Sequence, residues 1–461
     1  MPDNRLAAIV LAAGLGKRFR SAATPKVLHP AAGEPLVGHV LRAVAGLPGL
    51  ERLIVVVGHG KEAVMAAVQA RQPGAVFVEQ PVPRGTGDAV NVCREALEGF
   101  DGPVLVVSGD SPLITSETLA AQLAEHERAG AAVTALTAVL DDPTGYGRIV
   151  HEAGGALRIV EEADASPAEK EITEVSMCFW CFERAPLFEA LAQVTADNAQ
   201  GEYYLPDAVP LLAKAGGRVA TFRAPDPSEV LGVNDRRQLA EATRHLRERK
   251  IDALMGAGVT VEDPAVTYVD ALVTVGPDTV LKPLTFLEGA TVVGEGCVIG
   301  PSARLIDTTV EDGAEVSFAV VRSAVIGPGA QVGPFSSLRP ATRLAEKAKA
   351  GSFVEVKGST VGPGSKVPHL SYIGDTEIGS GVNVGAGTIT CNYDGEAGVK
   401  SRTVIGDGVL IGSDTMLVAP VTVGDRAMTG AGSVVTRDVE ADTVVVGAPA
   451  RPVRKRRPRA G

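Results

Sequence analysis

The sequence VGEGCVIG at residues 293–300 carries an aliphatic residue followed by glycine at both ends, six residues apart. Similar pairs recur, six or twelve residues apart, at Ile326-Gly327 and Val332-Gly333, Ile378-Gly379 and Val384-Gly385, and Ile405-Gly406, Ile411-Gly412 and Val423-Gly424. This period is typical of a parallel β-helix, in which one apolar residue per hexapeptide points inward and about three hexapeptides complete a coil. An amphipathic α-helix repeats every ~3.6 residues and cannot produce it. We therefore predict a β-helix over residues 257–450.

The first half of the chain follows a different pattern. Four apolar runs predict β-strands at residues 7–11, 53–57, 104–107 and 133–139. Residues 116–129 have the composition of a helix, and strands that alternate with helices are typical of an α/β domain with a mainly parallel sheet. We therefore predict a Rossmann-like domain over residues 1–233. The charged segment that follows contains spaced apolar residues and no proline, which predicts a linking helix over residues 234–256.

Composition limits the class of protein. Apolar residues make up 45% of the 461 residues, which excludes a mainly disordered chain, and the length favours two domains. Every apolar run is shorter than the roughly 18–20 residues that cross a bilayer. The first residues, MPDNRLAAIVLAAG, include an acid and lead directly into a predicted strand, unlike a signal peptide. We therefore expect a cytoplasmic protein without membrane insertion.

Charge and cysteine usage narrow the class further. The net charge of −11 argues against general nucleic-acid binding. The last residues, RPVRKRRPRAG, are nevertheless basic, and we expect a flexible, solvated tail over residues 451–461, with contact to a polyanion as the alternative. Cys178 and Cys181 have the spacing of a redox motif, but they lie in the apolar run VSMCFWCF, which predicts a buried strand and a packing role.

A glycine-rich segment follows the first predicted strand. Leu11, Ala12 and Gly14 open the sequence LAAGLGKR, which ends at Arg18, and glycines in such a turn let backbone N–H groups approach an anion. Lys26 follows in the sequence TPKVL and adds a second cation. The two segments, LAAGxGxR and PKxL, resemble those of the nucleotide-sugar pyrophosphorylases. The resemblance implies that this loop binds the phosphates of UTP, with Arg18 and Lys26 neutralising their charge.

Asp110 follows the third predicted strand. A carboxylate at the carboxyl end of a parallel strand faces the usual ligand crevice of an α/β sheet. Mg²⁺ prefers oxygen ligands, and the same resemblance implies that Asp110 and Asn234 share a Mg²⁺. From the residues alone, two alternatives stay open: Asp110 could cap the helix that follows it, and Asn234 could cap the linking helix.

The resemblance also assigns residues to the nucleotide and to the sugar. They are Gln80, Gly85, Thr86, Gly147, Glu161 and Ser176. The first three are expected to hold the base and the ribose. The last three match sugar-binding positions, and Ser176 stands where these enzymes usually have an asparagine. The implied reaction is attack of an oxygen of N-acetylglucosamine-1-phosphate on the α-phosphorus of UTP, which expels pyrophosphate.

Four polar segments interrupt the hexapeptide pattern. They are PFSSLRP at 334–340, FVEVK at 353–357, PHLSY at 368–372 and CNYDG at 391–395. Irregular segments of a repeat protein are frequent functional sites, and these four would converge if the coils stack. With the preceding NVGAGTIT they resemble the bifunctional N-acetylglucosamine-1-phosphate uridylyltransferase/glucosamine-1-phosphate acetyltransferase family, over nearly the whole chain. That resemblance implies a left-handed β-helix.

The same resemblance implies an acetyltransferase site. His369 is the expected general base, which takes a proton from the amine of glucosamine-1-phosphate as its nitrogen attacks acetyl-CoA, and Glu355 is expected to orient it. The expected contacts to the sugar phosphate are Arg339, Lys357, Tyr372, Asn383, Asn392 and Tyr393, and those to acetyl-CoA are Ala386, Lys400, Ser413 and Ala431. From the residues alone, Arg339 and Lys357 could be solvated charges and Asn392 a turn residue.

The resemblance further implies a homotrimer, because in this family the acetyl site forms between neighbouring subunits. Two competing hypotheses stay open. The chain could be a single-activity sugar-1-phosphate nucleotidyltransferase with a structural β-helix, but such an enzyme has no need of the segments around His369 and Asn392. It could also be a non-catalytic scaffold, which would be expected to have lost Lys26, Asp110 or His369, and all three are present.

Overall fold

The computed structural model describes residues 5–21, 23–151 and 157–457. The chain divides into two compact units, residues 1–246 and 247–461. The division falls inside the helix Arg236–Gly256, which corresponds to the predicted linking helix.

A nine-stranded mixed sheet forms the first unit. In chain order the strands of this unit are β1 (Leu6–Leu11), β2 (Pro30–Ala31), β3 (Glu34–Pro35), β4 (Leu50–Val57), β5 (Val76–Glu79), β6 (Pro103–Ser108), β7 (Val133–Val139), β8 (Gly147–His151), β9 (Leu157–Val160), β10 (Glu174–Glu183) and β11 (Val219–Arg223). The main path of the sheet is β11-β7-β10-β6-β1-β4-β5, while β8 and β9 form a hairpin beside β10, and β2 pairs with β3 alone. Only β10 on the main path runs antiparallel to its neighbours, which confirms a mainly parallel sheet.

Helices cover both faces of this sheet. They are α1 (Leu36–Ala45), α2 (Lys61–Gln69), α3 (Thr86–Asn91), α4 (Ser116–Ala129), α5 (Pro167–Lys170), α6 (Arg184–Leu191), α7 (Ala208–Lys214) and α8 (Arg236–Gly256). Side chains of β1 alternate between two cores: Ile9 packs with α3, α6 and α7, and Val10 packs with α1, α2 and α4. Burial on both faces explains why the strands read as continuous apolar runs in the sequence.

Helix α8 is anchored at both ends by apolar contacts. Near its start, Ala242 is buried in a small cluster with Phe19 and Leu36. Near its end, Ile251 and Leu254 are buried in the core of the second unit. Its polar face and spaced apolar residues therefore match the pattern that predicted it.

The second unit is a parallel β-helix with three faces, each a sheet of short strands, as predicted. The first face consists of Thr260–Val261, Val280–Leu281, Val298–Ile299, Glu315–Val316, Gln331–Val332, Lys349–Ser352, Lys366–His369, Asn383–Val384, Leu410–Ile411, Met428–Thr429, Thr443–Val446 and Arg451–Lys455. The second face consists of Tyr268–Val269, Phe286–Glu288, Arg304–Ile306, Ala319–Arg322, Ser336–Leu338, Glu355–Lys357, Tyr372–Gly374, Ile389–Cys391, Met416–Val418 and Val434–Val435. The third face consists of Thr274–Val275, Val292–Val293, Thr309–Val310, Val325–Ile326, Arg343–Leu344, Thr360–Val361, Thr376–Ile378, Thr403–Ile405 and Val421–Val423. A hairpin, Tyr393–Asp394 and Val399–Lys400, is inserted after the second face.

Parallel register aligns equivalent residues of successive coils. On the second face, Leu338, Val356 and Ile373 are register partners and are fully buried. Their neighbours Glu355 and Tyr372 are also register partners, and these point outward because side chains alternate along a strand. The inward positions therefore hold the fold together, and the outward positions are free to carry chemistry.

One corner of the β-helix carries a row of exposed apolar side chains, here called the corner ridge: Phe318, Phe335, Phe353 and Leu370. All four have positive φ between 41° and 58°, a conformation that bulky residues rarely adopt. Their side chains are 40–64% exposed, and the rings of Phe335 and Phe353 stack at 5.3 Å. Because an exposed row of this kind is uncommon on a monomer, the ridge is a candidate contact surface.

The C-terminal tail contains a strand. Residues Arg451–Lys455 form a strand antiparallel to Thr443–Val446, at the end of the first face. Arg456 follows, and its guanidinium donates to two backbone carbonyl oxygens of the preceding coils at 2.9 and 2.8 Å. The segment therefore pairs with the last coil while residues 451–455 stay exposed, as expected of a solvated tail, and its flexibility stays a prediction. Residues 458–461 lie outside the described residues.

No helix within the described ranges combines the length and the apolar character needed to cross a bilayer.

A core substitution tests the stack of inward-pointing side chains in the β-helix. Leu305 is fully buried on the second face, so Leu305→Ala should lower the free energy of unfolding by about 2–5 kcal/mol, measured by chemical denaturation. Val292, which is 44% exposed on the third face, is the matched control, and Val292→Ala should change it by less than about 0.5 kcal/mol. Equal effects of the two substitutions would contradict the assignment of inward and outward positions.

Candidate functional sites

The first candidate site is a cavity of about 490 Å³ where the strands β1 and β6 end. Its lining includes predicted residues from distant segments of the chain: Leu11, Gly14, Arg18, Lys26, Gln80, Gly85, Thr86, Asp110 and Asn234. This is the crevice at the carboxyl ends of parallel strands, where α/β sheets usually bind ligands. The structure thus brings the glycine-rich loop, the base-side turn and both predicted metal ligands together.

The ammonium group of Lys26 lies between the two predicted metal ligands. Its Nζ forms an ion pair with the carboxylate of Asp110 and donates to Oδ1 of Asn234 at 3.2 Å. The other carboxylate oxygen of Asp110 accepts a hydrogen bond from Oγ of Ser108 at 2.6 Å. The side chains of Lys26 and Asp110 are only 13% and 17% exposed, so water screens this ion pair weakly.

Two opposing effects set the pKa of Asp110. Burial alone would raise the pKa of this carboxyl, but the charge of Lys26 and the hydrogen bonds from Lys26 and Ser108 hold it below its ordinary value. The group is therefore a carboxylate at neutral pH. It does not cap the next helix, because the side chain of Thr115 caps α4.

Asn234 is likewise not a helix cap. The carboxylate of the next residue, Asp235, accepts hydrogen bonds from two backbone N–H groups at the start of α8, at 2.8 and 2.9 Å. The Asn234 side chain is thus left to face Lys26. Both capping alternatives are excluded by these contacts.

The donor set fits a hard divalent cation. The Asp110 carboxylate and the Asn234 amide oxygen already converge on one positive charge, that of Lys26. Carboxylate and amide oxygens are ligands that hard cations prefer. Among the described residues, no group of three or more His, Cys, Asp or Glu side chains could hold a metal. An ion held by Asp110 and Asn234 would therefore take its other ligands from water or phosphate oxygens.

The predicted base-side residues form one wall of the cavity. The buried side-chain amide of Gln80 donates to the carbonyl oxygen of Gly85 at 3.1 Å and to the carboxylate of Asp88 at 2.8 Å. The hydroxyl of Thr86 accepts a hydrogen bond at 3.0 Å from a backbone N–H of the segment 203–205. Gly85 has a φ of +108°, and a Cβ there would lie 2.5 Å from a backbone oxygen of that segment, so glycine is required.

The predicted sugar-side residues meet on the strands β8, β9 and β10. Gly147 is the register partner of Ser176, and a Cβ on Gly147 would lie 3.5 Å from the carboxylate of Glu161. Burial, and then three nearby carboxylates that include Glu202, raise the pKa of Glu161. Glu202 lines the cavity, whereas Gly147, Glu161 and Ser176 do not.

Ala12 is the exception among the loop residues. It is buried in the core with Val10, and its N–H donates to the carbonyl oxygen of Val56 at 2.9 Å, so it supports the cavity from behind. Sequence reasoning missed three polar lining residues, Ser108, Gln200 and Glu202, and two apolar ones, Pro83 and Ala89. Ser108 could have been found, since it ends the strand before Asp110, whereas the loop of Gln200 and Glu202 carries no motif.

The second candidate site lies on the second face of the β-helix. Glu355 and Tyr372 are register partners there, and Lys357 lies on the same strand as Glu355. The guanidinium of Arg339 donates to the carboxylate of Glu355 at 2.9 Å. Glu355 was expected to orient His369, and that role stays a prediction; its carboxylate pairs with Arg339, which lies on the adjacent coil of the same face.

A glycine allows Tyr372 and Asn392 to approach each other. A Cβ on Gly374 would lie 2.5 Å from the Tyr372 hydroxyl and 2.8 Å from Nδ2 of Asn392. The buried Asn392 side chain donates to the carboxylate of Asp375 at 2.5 Å. Asn392 therefore fixes the base of the hairpin 393–400 and is more than a turn residue.

That hairpin brings Lys400 close to Lys357. A hydrogen bond to Lys357 and repulsion between the two ammonium groups lower the pKa of Lys400. Tyr393, the register partner of Lys400 in the hairpin, is 62% exposed. Two lysines held together form a natural binding position for an anionic group such as a phosphate.

His369 lies at an exposed corner and is accessible. It ends a strand of the first face, one residue before the ridge residue Leu370. Ala386, Ser413 and Ala431 occupy the equivalent position of the following coils, as the strand register requires. These three residues form what we call the small-residue track, which begins beside His369 and leaves room for an extended ligand.

Within a single chain, Asn383 is the one predicted sugar contact that lies on a different face from Lys357 and Tyr372. It pairs with Lys366 and Leu410 on the first face, whereas Lys357 and Tyr372 belong to the second. Apart from His369, which ends a strand of the first face, the other predicted residues of this site lie on or next to the second face, in the hairpin or on the small-residue track.

Comparison with known proteins finds relatives of both units. The family of MobA-like NTP transferase domains matches residues 8–205, and the bacterial transferase hexapeptide family (six repeats) matches residues 402–437. The bifunctional protein GlmU of Pelotomaculum thermopropionicum is 51% identical over 417 residues, 90% of this chain and 90% of that protein. The GlmU proteins of Streptomyces coelicolor and Thermobifida fusca are 49% and 51% identical over 95% and 97% of this chain, and over 91% and 93% of their own lengths.

The fold and the two sites define a nucleotidyltransferase joined to a hexapeptide-repeat acyltransferase. At this identity and coverage, the chain belongs to the GlmU family of bifunctional proteins.

The lysine pair at the second site gives a measurable prediction. Lys357→Met removes the neighbouring positive charge, so the pKa of Lys400 should rise toward its ordinary value. The pH dependence of Lys400 labelling by an amine-reactive reagent, followed by peptide mass spectrometry, measures this shift. Lys347→Met is the control, because Lys347 pairs with Glu346 at 2.9 Å instead. An unchanged Lys400 profile in Lys357→Met would show that the two lysines do not interact.

Proposed function

We propose that this chain makes UDP-N-acetylglucosamine in two steps, each at its own site. The β-helix unit acetylates glucosamine-1-phosphate with acetyl-CoA. The first unit then transfers the uridylyl group of UTP to N-acetylglucosamine-1-phosphate and releases pyrophosphate. The observation that carries the proposal is the presence in one chain of two polar clusters, one around Lys26 and Asp110 in the first unit and one around Lys357 and Lys400 in the β-helix. A single-activity enzyme with a structural β-helix has no use for the second.

The uridylyl transfer depends on positioning and on charge. An oxygen of the sugar phosphate forms a bond to the α-phosphorus of UTP as the bond from that phosphorus to the β-phosphate oxygen breaks, and pyrophosphate leaves. Both reactants are anions, so cationic groups must offset their repulsion. Arg18 and Lys26 line the cavity and supply such charge, while Gln80, Gly85 and Thr86 hold the nucleoside. Gly147, Ser176 and Glu161 receive the sugar.

We assign Asp110 and Asn234 to a divalent metal, Mg²⁺, on the strength of their converging oxygen atoms. When bound, the ion would offset negative charge on the phosphates of UTP. The residues of the chain do the rest: Ser108 orients the Asp110 carboxylate, and Lys26 supplies a second positive charge next to it.

The acetyl transfer needs a base and a held phosphate. The amine nitrogen of glucosamine-1-phosphate forms a bond to the thioester carbonyl carbon, the C–S bond breaks, and the coenzyme A thiolate takes up a proton. His369 removes the proton that the amine loses, a task for which an imidazole suits neutral pH. Lys357 and Arg339 hold the phosphate of the sugar, with Tyr372, Asn392 and Tyr393 beside them, and Lys400 contacts acetyl-CoA. The small-residue track takes acetyl-CoA.

We further propose that the chain works as a homotrimer in the cytoplasm. The corner ridge supports the trimer, because its four exposed apolar side chains adjoin His369 and would gain burial from neighbouring copies. Asn383, which lies apart from the sugar site within one chain, would then serve the site of a neighbouring copy.

Two substitutions should separate the activities. Asp110→Asn should abolish pyrophosphate release and leave acetyl transfer within about twofold, because the sites share no residue. His369→Asn should lower acetyl transfer by about 100-fold or more and spare uridylyl transfer, because it removes the general base. Pyrophosphate release and free coenzyme A thiol are measured on the same preparations, so each activity reports on folding for the other. Loss of both activities in either variant would overturn the two-site proposal.

Metal removal provides an independent check. Treatment with a chelator should abolish uridylyl transfer, and added Mg²⁺ should restore it, because an ion held by Asp110 and Asn234 would offset negative charge on the phosphates of UTP. Acetyl transfer should be unaffected, since His369 acts without a metal. Uridylyl transfer that persists in the chelator-treated enzyme would contradict the assignment of Asp110 and Asn234.

A further inference from the structure

We propose that Arg148 is a positioning residue for the sugar, and that it acts through an ion pair with Glu162 on the side of the β8–β9 hairpin that faces away from the substrate. The proposal rests on the proposed function, in which Gly147 and Glu161 receive the sugar. Neither Arg148 nor Glu162 lines the cavity.

Alternation along the strands separates two sides of the hairpin. The position of a Cβ on Gly147 points to Ile159 and to the carboxylate of Glu161, so these residues share one side. Their sequence neighbours Arg148 and Glu162 lie on the opposite side, where their side chains form an ion pair of 2.8 Å. Because side chains of consecutive strand residues point in opposite directions, this pair joins the same two segments from behind.

Arg148 is among the most completely buried charged residues of the first unit, at 1% exposure. Its guanidinium donates to the carbonyl oxygen of Tyr146 and, at 3.3 Å, to that of Lys170. Its Nε has no hydrogen-bond partner within the described part of the chain. Burying a cation is unfavourable unless it is paired and hydrogen-bonded, and two of its three partners, Tyr146 and Glu162, are the sequence neighbours of Gly147 and Glu161.

Glu162 is the other member of the ion pair that joins the two segments, here called the Arg148–Glu162 clamp. The carboxylate oxygen that pairs with Arg148 also accepts a hydrogen bond at 3.2 Å from the backbone N–H of Gly145. Burial alone would raise the pKa of Glu162, but the bond from Gly145 and the charge and hydrogen bond of Arg148 hold it low. The neighbouring Glu161 has a raised pKa, so adjacent carboxyl groups on opposite sides of the strand behave differently.

The consequence is that the turn before β8 and the residue after β9 cannot move independently. Arg148 and Glu162 together hold the backbone at Gly145 and Tyr146, and thereby the position of Gly147 opposite Glu161. A displacement of about 1 Å in a substrate-positioning element can cost catalysis severely. Loss of the Arg148–Glu162 ion pair should therefore weaken binding of the sugar phosphate. Binding of UTP should be unaffected, because other segments hold it.

The test is a set of substitutions in the full-length enzyme: Arg148→Met, Arg148→Lys and Glu162→Gln. Each should raise the KM for N-acetylglucosamine-1-phosphate by about tenfold and change the KM for UTP by less than about twofold. Lysine keeps the charge but loses the planar fork, so Arg148→Lys should not restore the KM. The double variant Arg148→Met/Glu162→Gln should resemble the single ones, because both remove the same interaction.

Acetyl transfer by the same preparations reports on folding, and Arg158→Met is the matched control. Arg158 forms an ion pair of 2.7 Å with Glu169 on the same hairpin but is 42% exposed, and its loss should leave both KM values within about twofold. A merely structural role for Arg148 would lower kcat through a smaller active fraction and leave both KM values unchanged, and this result would overturn the proposal. Glu161→Gln distinguishes failure of the sugar site from failure of the positioning role. If Glu161→Gln has no effect on the KM for the sugar phosphate, the proposed sugar site is wrong. If Glu161→Gln raises this KM and Glu162→Gln does not, only the positioning role is wrong.

Discussion

In-register stacking of successive coils is the constraint on which the second unit depends. Each strand pairs with its equivalent one coil later, so a position in the hexapeptide decides whether a side chain is buried or exposed. Leu338, Val356 and Ile373 form part of the buried ladder, and the stability of the unit rests on such ladders. The same register aligns the outward positions into columns. The position that His369 occupies on one coil is therefore occupied on the next coils by the residues of the small-residue track.

The first unit brings polar groups from distant segments of the chain together by a different arrangement. Its parallel strands end at one edge, and the loops that follow them supply Lys26, Asp110 and Asn234. These groups are held by charge, because the ammonium of Lys26 donates to two oxygen acceptors in a largely buried position. Both units also rely on glycine at points of close approach, since a Cβ on Gly85 or Gly374 would collide with the segment opposite.

The sequence was sufficient to predict the architecture because its two periodicities are local properties. The hexapeptide repeat beginning at residue 293 specifies the β-helix, and the apolar runs specify the strands of the first unit. Most lining residues of the first cavity were also predictable, because their motifs follow strand ends. What could not be predicted depends on contacts between distant segments: that Glu355 pairs with Arg339, that Asn392 binds Asp375, and that residues 451–455 add a strand. The capping alternatives for Asp110 and Asn234 belong to the same group, because only coordinates could show that Thr115 and Asp235 perform those tasks.

The separation of Asn234 from Asp235 has a consequence for how this enzyme can change over generations. Two adjacent residues have different roles: Asp235 stabilises the start of α8, and Asn234 contributes its side chain to the cavity. A mutation at either position is therefore exposed to only one kind of selection. The contact of the Asn234 side chain with Lys26 can change without loss of the hydrogen bonds that begin the helix, and those hydrogen bonds can change without loss of that contact.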